Sequence, residues 1–318
     1  GNIVSISERK ERLQAVADAY LDLPANERSE ALVLTPSNVD RVELAERIRQ
    51  GLRREGVLTG DDAPSTVLVS RGFTSAQQKE ASYYEAGDVV RFGRRYKSEG
   101  IEAGETWVVT STELAANTVR LKHKDGRTLD LKPHRFANLE VYRQEERGLA
   151  AGDRIRWTRN DHDLGRRNGD QATVESISQD GKTARVALPT GKGPPELQTL
   201  DLAVQRHWDH AWAVTAHAAQ GATRDRAFVH IDTSERNLVG HQQWYVSISR
   251  ARESVHVFTD NEDALPLRIK RSMEQDSALD ARKRSRSQTP QKARQYPAKE
   301  RVLEHPSQAP SHPRPEQP

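Results

Sequence analysis

Leu13, Val16, Ala17 and Tyr20 fall at i, i+3, i+4 and i+7, the spacing of one helical face, and predict a helix over residues 5–21. Ser5 and Glu8 precede it in the spacing of a capping box. Ala31-Leu32-Val33-Leu34 is a continuous apolar run stopped by Thr35-Pro36-Ser37, the pattern of a strand buried on both faces of a parallel sheet. Asp40 and Glu43 form a second capping pair ahead of Leu44, Ile48 and Leu52, and Gly56 closes that helix. Helix, buried strand, turn and helix make a piece of an α/β layer.

The period then changes. From Thr66 to about Arg206 the chain reads as short β segments, among them Val67–Val69, Asp88–Phe92, Trp107–Val109, Thr118–Lys122, Thr128–Leu131, Arg154–Trp157, Ala172–Val174 and Ala184–Leu188. Asp125-Gly126 and Asp180-Gly181 are hairpin turns. The block repeats at an offset of 65 without a gap. Gly87-Asp88 matches Gly152-Asp153, Val90-Arg91-Phe92 matches Ile155-Arg156-Trp157, and Gly104-Glu105 matches Gly169-Asp170. Two small barrels in tandem would give this pattern.

After Asp209 the α/β character returns. Trp212–Thr215 reads as a strand, His217–Thr223 as a polar turn with one glycine, Tyr245–Arg252 as an apolar helix end, Val255–Phe258 as a strand and Asn261–Met273 as a last helix. The expected organisation is an α/β domain of residues 1–66 and 208–275, interrupted by an all-β insertion over 67–207 with copies near 85–145 and 150–205. Residues 276–318 are a basic, Pro-rich tail expected to be disordered, with seven of the fifteen prolines after residue 289.

Composition narrows the chemistry. The 318 residues contain no cysteine, which excludes disulfides, thiolate catalysis and cysteine-ligated metal. The eleven histidines show no metal-ligand spacing. With no apolar run near 18 residues and no signal peptide, a cytoplasmic bacterial protein is the expectation. Net charge is +3, but residues 281–318 hold nine Lys/Arg against three Asp/Glu, a surplus of +6. Residues 1–280 therefore sum to −3, and the basic pI of 9.1 describes the tail.

A strand ending in a Thr/His/Gln/Gly turn suits holding a phosphate, and an arginine at the tip of a buried element suits reaching one across an interface. Gln220-Gly221 and Ser249-Arg250-Ala251-Arg252, about thirty residues apart and each beside a strand, resemble motifs V and VI of superfamily 1 DNA helicases. Leu32–Pro36 with its following helix resembles motif IV. Together with Tyr84–Phe92 and the run Arg156–Asp161 followed by Gly165, Asn168 and Gly169, they look like the helicase part of conjugative relaxase-helicases. The resemblance spans residues 1 to about 270, and that to RecD-type helicases is more distant.

The resemblance implies a second RecA-like motor domain with ATP and Mg2+ held mainly by a first one. No GxxxxGK[ST] loop occurs in the sequence. A P-loop domain and a relaxase domain are therefore expected N-terminal to residue 1, and the chain alone is expected not to hydrolyse ATP. Arg250 would be an arginine finger, with Gln220, Gly221 and Arg252 on the nucleotide side. Thr35, Ser37, Thr215 and His217 would contact single-stranded DNA. So would Arg156, Trp157, Thr158, Arg159 and Asn160 of the insertion, with Arg166, Arg167 and Asn168 as the facing edge. Arg91, Phe92, Arg94, Arg95 and Lys97 are the equivalents in the first copy. Translocation from 5′ to 3′ and relaxosome or type IV secretion partners follow from the same family.

Each assignment has a plainer reading. Arg250 could pair with Glu253. Trp157 and Phe92 are equally suited to a barrel core. The whole chain could instead be a non-catalytic module that binds single-stranded DNA or carries a secretion signal, or a fragment of a RecD-like repair helicase.

Overall fold

The computed structural model describes residues 2–190, 193–216, 218–219, 222–235 and 240–272. His217, Gln220, Gly221 and the tail lie outside them. The chain opens with β1 (Asn2–Ser5), α1 (Arg9–Leu21), β2 (Ala31–Thr35) and α2 (Asn38–Arg54). The expected α1 face is the buried one, since Leu13, Val16, Ala17 and Tyr20 enter one apolar cluster with Leu44, Ile48 and Leu52 of α2. Its start is corrected. Ser5 belongs to β1, where it is level with Thr259 of a strand near the end of the described chain, so no Ser5 capping box forms. All four β1 residues are exposed, so no apolar pattern marks the strand. At α2 the cap is Ser37, whose hydroxyl accepts from Asp40 N at 3.4 Å, rather than an Asp40/Glu43 box.

Next come the antiparallel strands β3 (Thr59–Ser70), β4 (Val89–Phe92), β5 (Thr106–Glu113), β6 (Thr118–Lys122), β7 (Thr128–Leu131) and β8 (Leu139–Ala151). They form one sheet in the order β3-β8-β4-β5-β6-β7. A second sheet follows from β9 (Arg154–Trp157), β10 (Gln171–Ile177), β11 (Thr183–Leu188), β12 (Glu196–Asp201) and β13 (Trp208–His210), ordered β12-β11-β10-β9-β13. One apolar cluster lies around Phe92 and Trp107 of the first sheet, and another around Trp157 and Trp208 of the second, which also takes in Ala63, Val67 and Leu149 from β3 and β8. As hydrogen-bonded, both strand orders are open among the described residues. The antiparallel strands span Thr59 to His210, wider at both ends than the change of period indicated.

The offset of 65 recurs in the hydrogen bonds. Gly87 N donates to Val109 O and Gly152 N to Val174 O, both at 2.8 Å. Gly104 N donates to Phe92 O at 2.7 Å and Gly169 N to Trp157 O at 2.9 Å. Gly87 and Gly152 both have φ +93°, a left-handed turn that disfavours any side chain. The two copies differ in what the following aspartate meets. Asp88 accepts from Glu85 N at 2.9 Å and lies 3.4 Å from Arg71. Asp153, 0% exposed, accepts from Ala150 N at 2.8 Å, from Arg49 of α2 through Nε and Nη2 at 2.9 Å each, and from Trp212 Nε1 at 3.0 Å.

The chain then returns through β14 (Val214–Thr215), β15 (Arg224–Ile231), α3 (His241–Ile248) and β16 (Ala251–Thr259). With β1 and β2 they make an all-parallel sheet ordered β1-β16-β15-β2-β14. Val33, Phe228 and Phe258 face α1 and α2. Leu32, Leu34, Val229 and Val257 face the other way, toward Trp244 of α3 and toward Leu265 and Ile269 of a helical stretch at 264–272. The sheet is thus covered on both faces, as an uninterrupted apolar strand requires. Among the described residues no helix is long and apolar enough to cross a membrane.

A second buried carboxylate joins the two parts. Asp209 of β13 pairs with Arg41 of α2 at 2.7 Å and lies 3.6 Å from Arg147 and 3.9 Å from Arg156. Burial works against its charge, but the three guanidinium groups hold its pKa below the usual carboxylate range.

Two stability predictions follow from these anchors. Asp153→Asn leaves Arg49 only its more exposed partners Asp62 and Glu46 and should cost less in urea unfolding than the about 3–5 kcal/mol of an uncompensated buried charge, yet distinctly more than Asp88→Asn in the same turn of the other copy. Asp209 contributes stability above the unfolded aspartate pKa and loses it as pH falls through the lower folded value. Asp209→Asn should therefore flatten the acid limb of a stability–pH curve as well as lower its plateau.

Candidate nucleotide and nucleic-acid interfaces

Strands in a parallel sheet start at one edge and finish at the other, and this separates the expected site residues into two groups. At the starting edge Arg224 is level with Ala251, and Arg226 with Ala31. At the finishing edge Ile231 is level with Thr259, and Thr215 with Thr35. Over the eight residues of β15 the edges stand roughly 20 Å apart at ~3.3 Å per residue.

Arg250 belongs to the starting edge. α3 ends at Ile248 and β16 begins at Ala251, so Arg250 lies in the turn between helix and strand. Its own carbonyl accepts from Arg224 N at 2.9 Å, which fixes the turn against β15. The guanidinium donates to Val246 O through Nε (3.1 Å), to Ala222 O through Nη1 (3.4 Å) and to Ser249 Oγ through Nη2 (3.0 Å). All three acceptors are neutral. No carboxylate pairs with Arg250 among the described residues, and the Glu253 pairing does not form. The contact to Ala222 joins the two sequence motifs, since Ala222 directly follows Gln220-Gly221. Arg252 behaves differently. It is 59% exposed and pairs with Asp225 at 3.0 Å and with Glu30 at 4.0 Å. Exposed pairs of this kind contribute roughly 0–1 kcal/mol, so they hold Arg252 loosely.

At the finishing edge the expected hydroxyls point inward. Thr35 is 1% exposed, with Oγ1 3.4 Å from His230 Nδ1. Ser37 is buried as the α2 cap. Arg12 Nε donates to His230 Nε2 at 3.1 Å, which assigns the ring proton to Nδ1, 3.3 Å from Asp40 Oδ2. Arg12 also pairs with Asp232 and Asp40 with Arg9. In this network Thr35 and Ser37 serve the fold, which corrects their assignment as direct DNA contacts. Thr215 is half-buried and its Oγ1 accepts from Ala218 N at 3.3 Å.

In the insertion the run Arg156–Asn160 divides. Trp157 is 2% exposed and sits in the core of the second sheet, with the Arg166 guanidinium 4.1 Å above its ring. Phe92 is buried in the same way in the first copy. Neither ring is available to stack on a base, so the core reading replaces the stacking one. Arg156 is spent on Asp209. Thr158 is half-buried, and its Oγ1 is an inaccessible atom without a partner. Arg159, Asn160 and Asn168 remain accessible. Arg159 is 32% exposed, and Asn160 Oδ1 accepts from Asn168 N at 2.8 Å.

Arg159 and Arg91 line two adjoining clefts of about 410 and 690 Å3. Arg166, Asn160 and His207 line the first, Lys79, Phe136 and Asn138 the second. A groove therefore runs across both sheets over two arginines. Between them lies Glu140, 3.1 Å from Arg91 and 3.6 Å from Arg159. Burial opposes its charge, but the Tyr142 hydroxyl and both arginines hold its pKa below the usual range. Among the first-copy residues, Arg94 stacks on Tyr96 at 4.8 Å and Arg95 pairs with Glu102 at 2.8 Å. Sequence reasoning missed Glu140 and His207. Both lie outside any motif, and only the approach of the two sheets brings them to the arginines.

Burial, then the nearby Arg159 charge, push His207 down to about 4. Its folded pKa lies below the unfolded value of 6.5, so the unfolded chain binds more protons between the two and stability is lost as pH falls through that window. His207→Phe should remove the part of the slope between pH 6.5 and about 4 in chemical-denaturation midpoints.

Comparison with known proteins places this geometry. Residues 155–259 match the viral superfamily 1 RNA helicase core domain. The multifunctional conjugation protein TraI of Escherichia coli (strain K12) is 24% identical over 275 residues, which cover 84% of this chain and 15% of TraI. The conjugal transfer protein TraA of Rhizobium radiobacter is 31% identical over 115 residues, 36% of this chain and 10% of TraA. The chain thus spans well under a fifth of the length of these relatives. Among solved structures, the Pif1 helicase from Bacteroides overlaps 87% of this chain and 50% of its own at 14% identity and a TM-score of 0.29, too loose to carry an argument. Taken together, the comparisons support a similarity of this chain to the superfamily 1 helicase core and to a part of the conjugation proteins TraI and TraA.

Proposed function

We propose that the chain is the arginine-finger half of an ATP-driven, single-stranded DNA motor within a conjugative transfer protein. The observation that supports this most is Arg250, a guanidinium at the sheet edge held by three neutral acceptors, one of them the carbonyl of Ala222, which follows Gln220-Gly221 in sequence. Phosphoryl transfer spreads negative charge over the transferring group, and a guanidinium delivered from an opposing domain neutralises it. Ser249 Oγ and the Ala222 carbonyl are acceptors that Arg250 can exchange for phosphate oxygens without leaving a carboxylate unpaired. The sequence has no GxxxxGK[ST] loop, so the phosphates and Mg2+ would be held by a P-loop domain, and Arg250 would act on them in trans.

The DNA side of this reading rests on the groove over Arg91 and Arg159, with Asn160 and Asn168 at its rim, and on Thr215 at the finishing edge. Arginines here would hold backbone phosphates, which gives binding without sequence preference. Asp153 and Asp209 fasten α2 to the insertion. Closure of the nucleotide cleft would therefore carry sheet, α2 and groove together, and move the strand, 5′ to 3′ as in the family. The relaxase part and the secretion machinery are the partners expected from the TraI and TraA relatives.

The test needs a polypeptide that joins this chain to a P-loop motor domain. Arg250→Ala should lower DNA-stimulated ATP turnover about 1,000-fold or more while leaving the Kd for single-stranded DNA unchanged. Arg250→Lys should restore little, since a lone ammonium lacks the bidentate fork. Turnover that survives Arg250→Ala within tenfold would overturn the finger assignment.

A further inference from the structure

Arg91 of β4 stands level with Glu140 of β8, and Arg156 of β9 stands level with Asp209 of β13. The offset of 65 makes Arg91 and Arg156 equivalent, so the doubled insertion holds the same cross-strand pair of arginine and acid twice. Opposite charges at level positions stabilise antiparallel strands, which gives each pair a first, structural reason to exist. The surroundings of the two pairs have diverged. Asp209 is 4% exposed and is closed in by Arg41 and Arg147 besides Arg156. The Glu140 side chain is 44% exposed and forms part of the wall of the 690 Å3 cleft. One copy of the pair is a sealed anchor, and the other lies open in the groove.

In the open copy every contact falls on one oxygen. Glu140 Oε2 accepts from Tyr142 Oη at 2.8 Å and from Arg91 Nη1 at 3.1 Å, and lies 3.6 Å from Arg159 Nε. Arg91 belongs to the first sheet and Arg159 to the turn after β9 of the second, so a guanidinium from each sheet shares this carboxylate. Among the described residues neither arginine pairs with another acid. Asp161 and Asp163 also line the first cleft, but no salt bridge joins them to Arg91 or Arg159. A phosphate entering the groove and the Glu140 carboxylate therefore need the same donors. Partly exposed pairs of this kind are weak, so a phosphate can displace the carboxylate.

Resting on the reading of the groove as a seat for single-stranded DNA, we propose that Glu140 is a built-in competitor for the strand, its carboxylate holding the place between Arg91 and Arg159 that a backbone phosphate must take. The displaced carboxylate stays beside the phosphate and repels it. The groove thus holds each phosphate loosely, and the two arginines return to Glu140 when the strand moves on. A motor that passes many phosphates through one groove needs that ready release. A Glu140 that only orders the two arginines makes the opposite prediction, since its loss would leave both guanidinium groups without a fixed position and weaken binding.

Titration of the 318-residue chain with labelled dT12, followed by fluorescence anisotropy over a range of salt, separates the two roles. Glu140→Gln removes the charge, keeps the size and leaves an amide oxygen to accept from Tyr142. It should tighten dT12 binding at low salt about threefold or more and steepen the log–log salt slope by up to about 0.7, the value for one further phosphate neutralised on a single strand. Glu140→Thr, which also suits a strand, should act in the same direction. Asp130→Asn is the matched control. It frees Arg120 in the same sheet but outside both clefts, and should give a distinctly smaller gain. With Arg91 and Arg159 both changed to alanine, Glu140→Gln should give no gain at all. A dT12 with uncharged methylphosphonate linkages should bind wild type and Glu140→Gln alike. The competitor assignment alone is wrong if Glu140→Gln binds dT12 no better than wild type, if Asp130→Asn matches its gain, or if the gain survives loss of both arginines. If neither wild type nor Glu140→Gln binds dT12 at any salt, the DNA reading of the groove falls, and the competitor with it.

Discussion

The Asp153 carboxylate is where the two halves of the chain are fastened. A charge with no exposure is tolerated only when a counter-charge and further donors replace the water it loses. Asp153 has four donors: two from Arg49 of α2, one from Trp212 and one from the Ala150 amide. Three separate stretches of chain therefore converge on one side chain. Trp212 stands just ahead of β14, so the same carboxylate sets where the chain re-enters the parallel sheet after the insertion. The level pairing of Thr215 with Thr35 depends on that entry. Asp209 repeats the arrangement a few residues from the end of the insertion, with Arg41 one helical face along α2 from Arg49.

The repeat explains how such an anchor could arise. Both copies build the same left-handed glycine turn, and in both the following aspartate accepts a main-chain N–H three residues back. That bond is local and needs nothing from the rest of the molecule. What differs is the neighbour beyond it. Asp88 keeps one oxygen near Arg71 at the rim of a cleft, whereas Asp153 is pressed against α2. The same divergence shows at Arg166, which lies at the position of Ile101 in the first copy and stacks its guanidinium on Trp157. A duplicated sheet thus supplied one copy for a core of aromatic packing and one for attachment.

The motifs legible in sequence were those whose meaning is local. A continuous apolar run marked β2 as a central strand because a strand covered on both faces has no polar side. Glycine turns were legible because left-handed backbone restricts the residue type. Arg250 was legible as an arginine set between a helix and a strand, but its three neutral partners were not. β1 was not legible, since an exposed edge strand carries no apolar pattern and is held by main-chain bonds alone. The basic run Arg156–Asn160 looked uniform but is divided by the pleat of the strand and the turn after it. Trp157 enters the core, Arg156 meets Asp209, and only Arg159 and Asn160 reach the groove.

The sequence by itself determined the α/β layer, the doubled β insertion, the absence of cysteine, and the turn that carries Arg250 between a helix and a strand. Each is written in spacing, residue type or self-similarity over a few tens of positions. The tertiary structure alone decided which charges are spent and which are free. Arg41, Arg49, Arg91, Arg156 and Arg159 are indistinguishable as letters. Their roles are set by whether a carboxylate from a distant strand arrives within hydrogen-bonding reach. That depends on how two sheets and a helix meet, which no local pattern encodes.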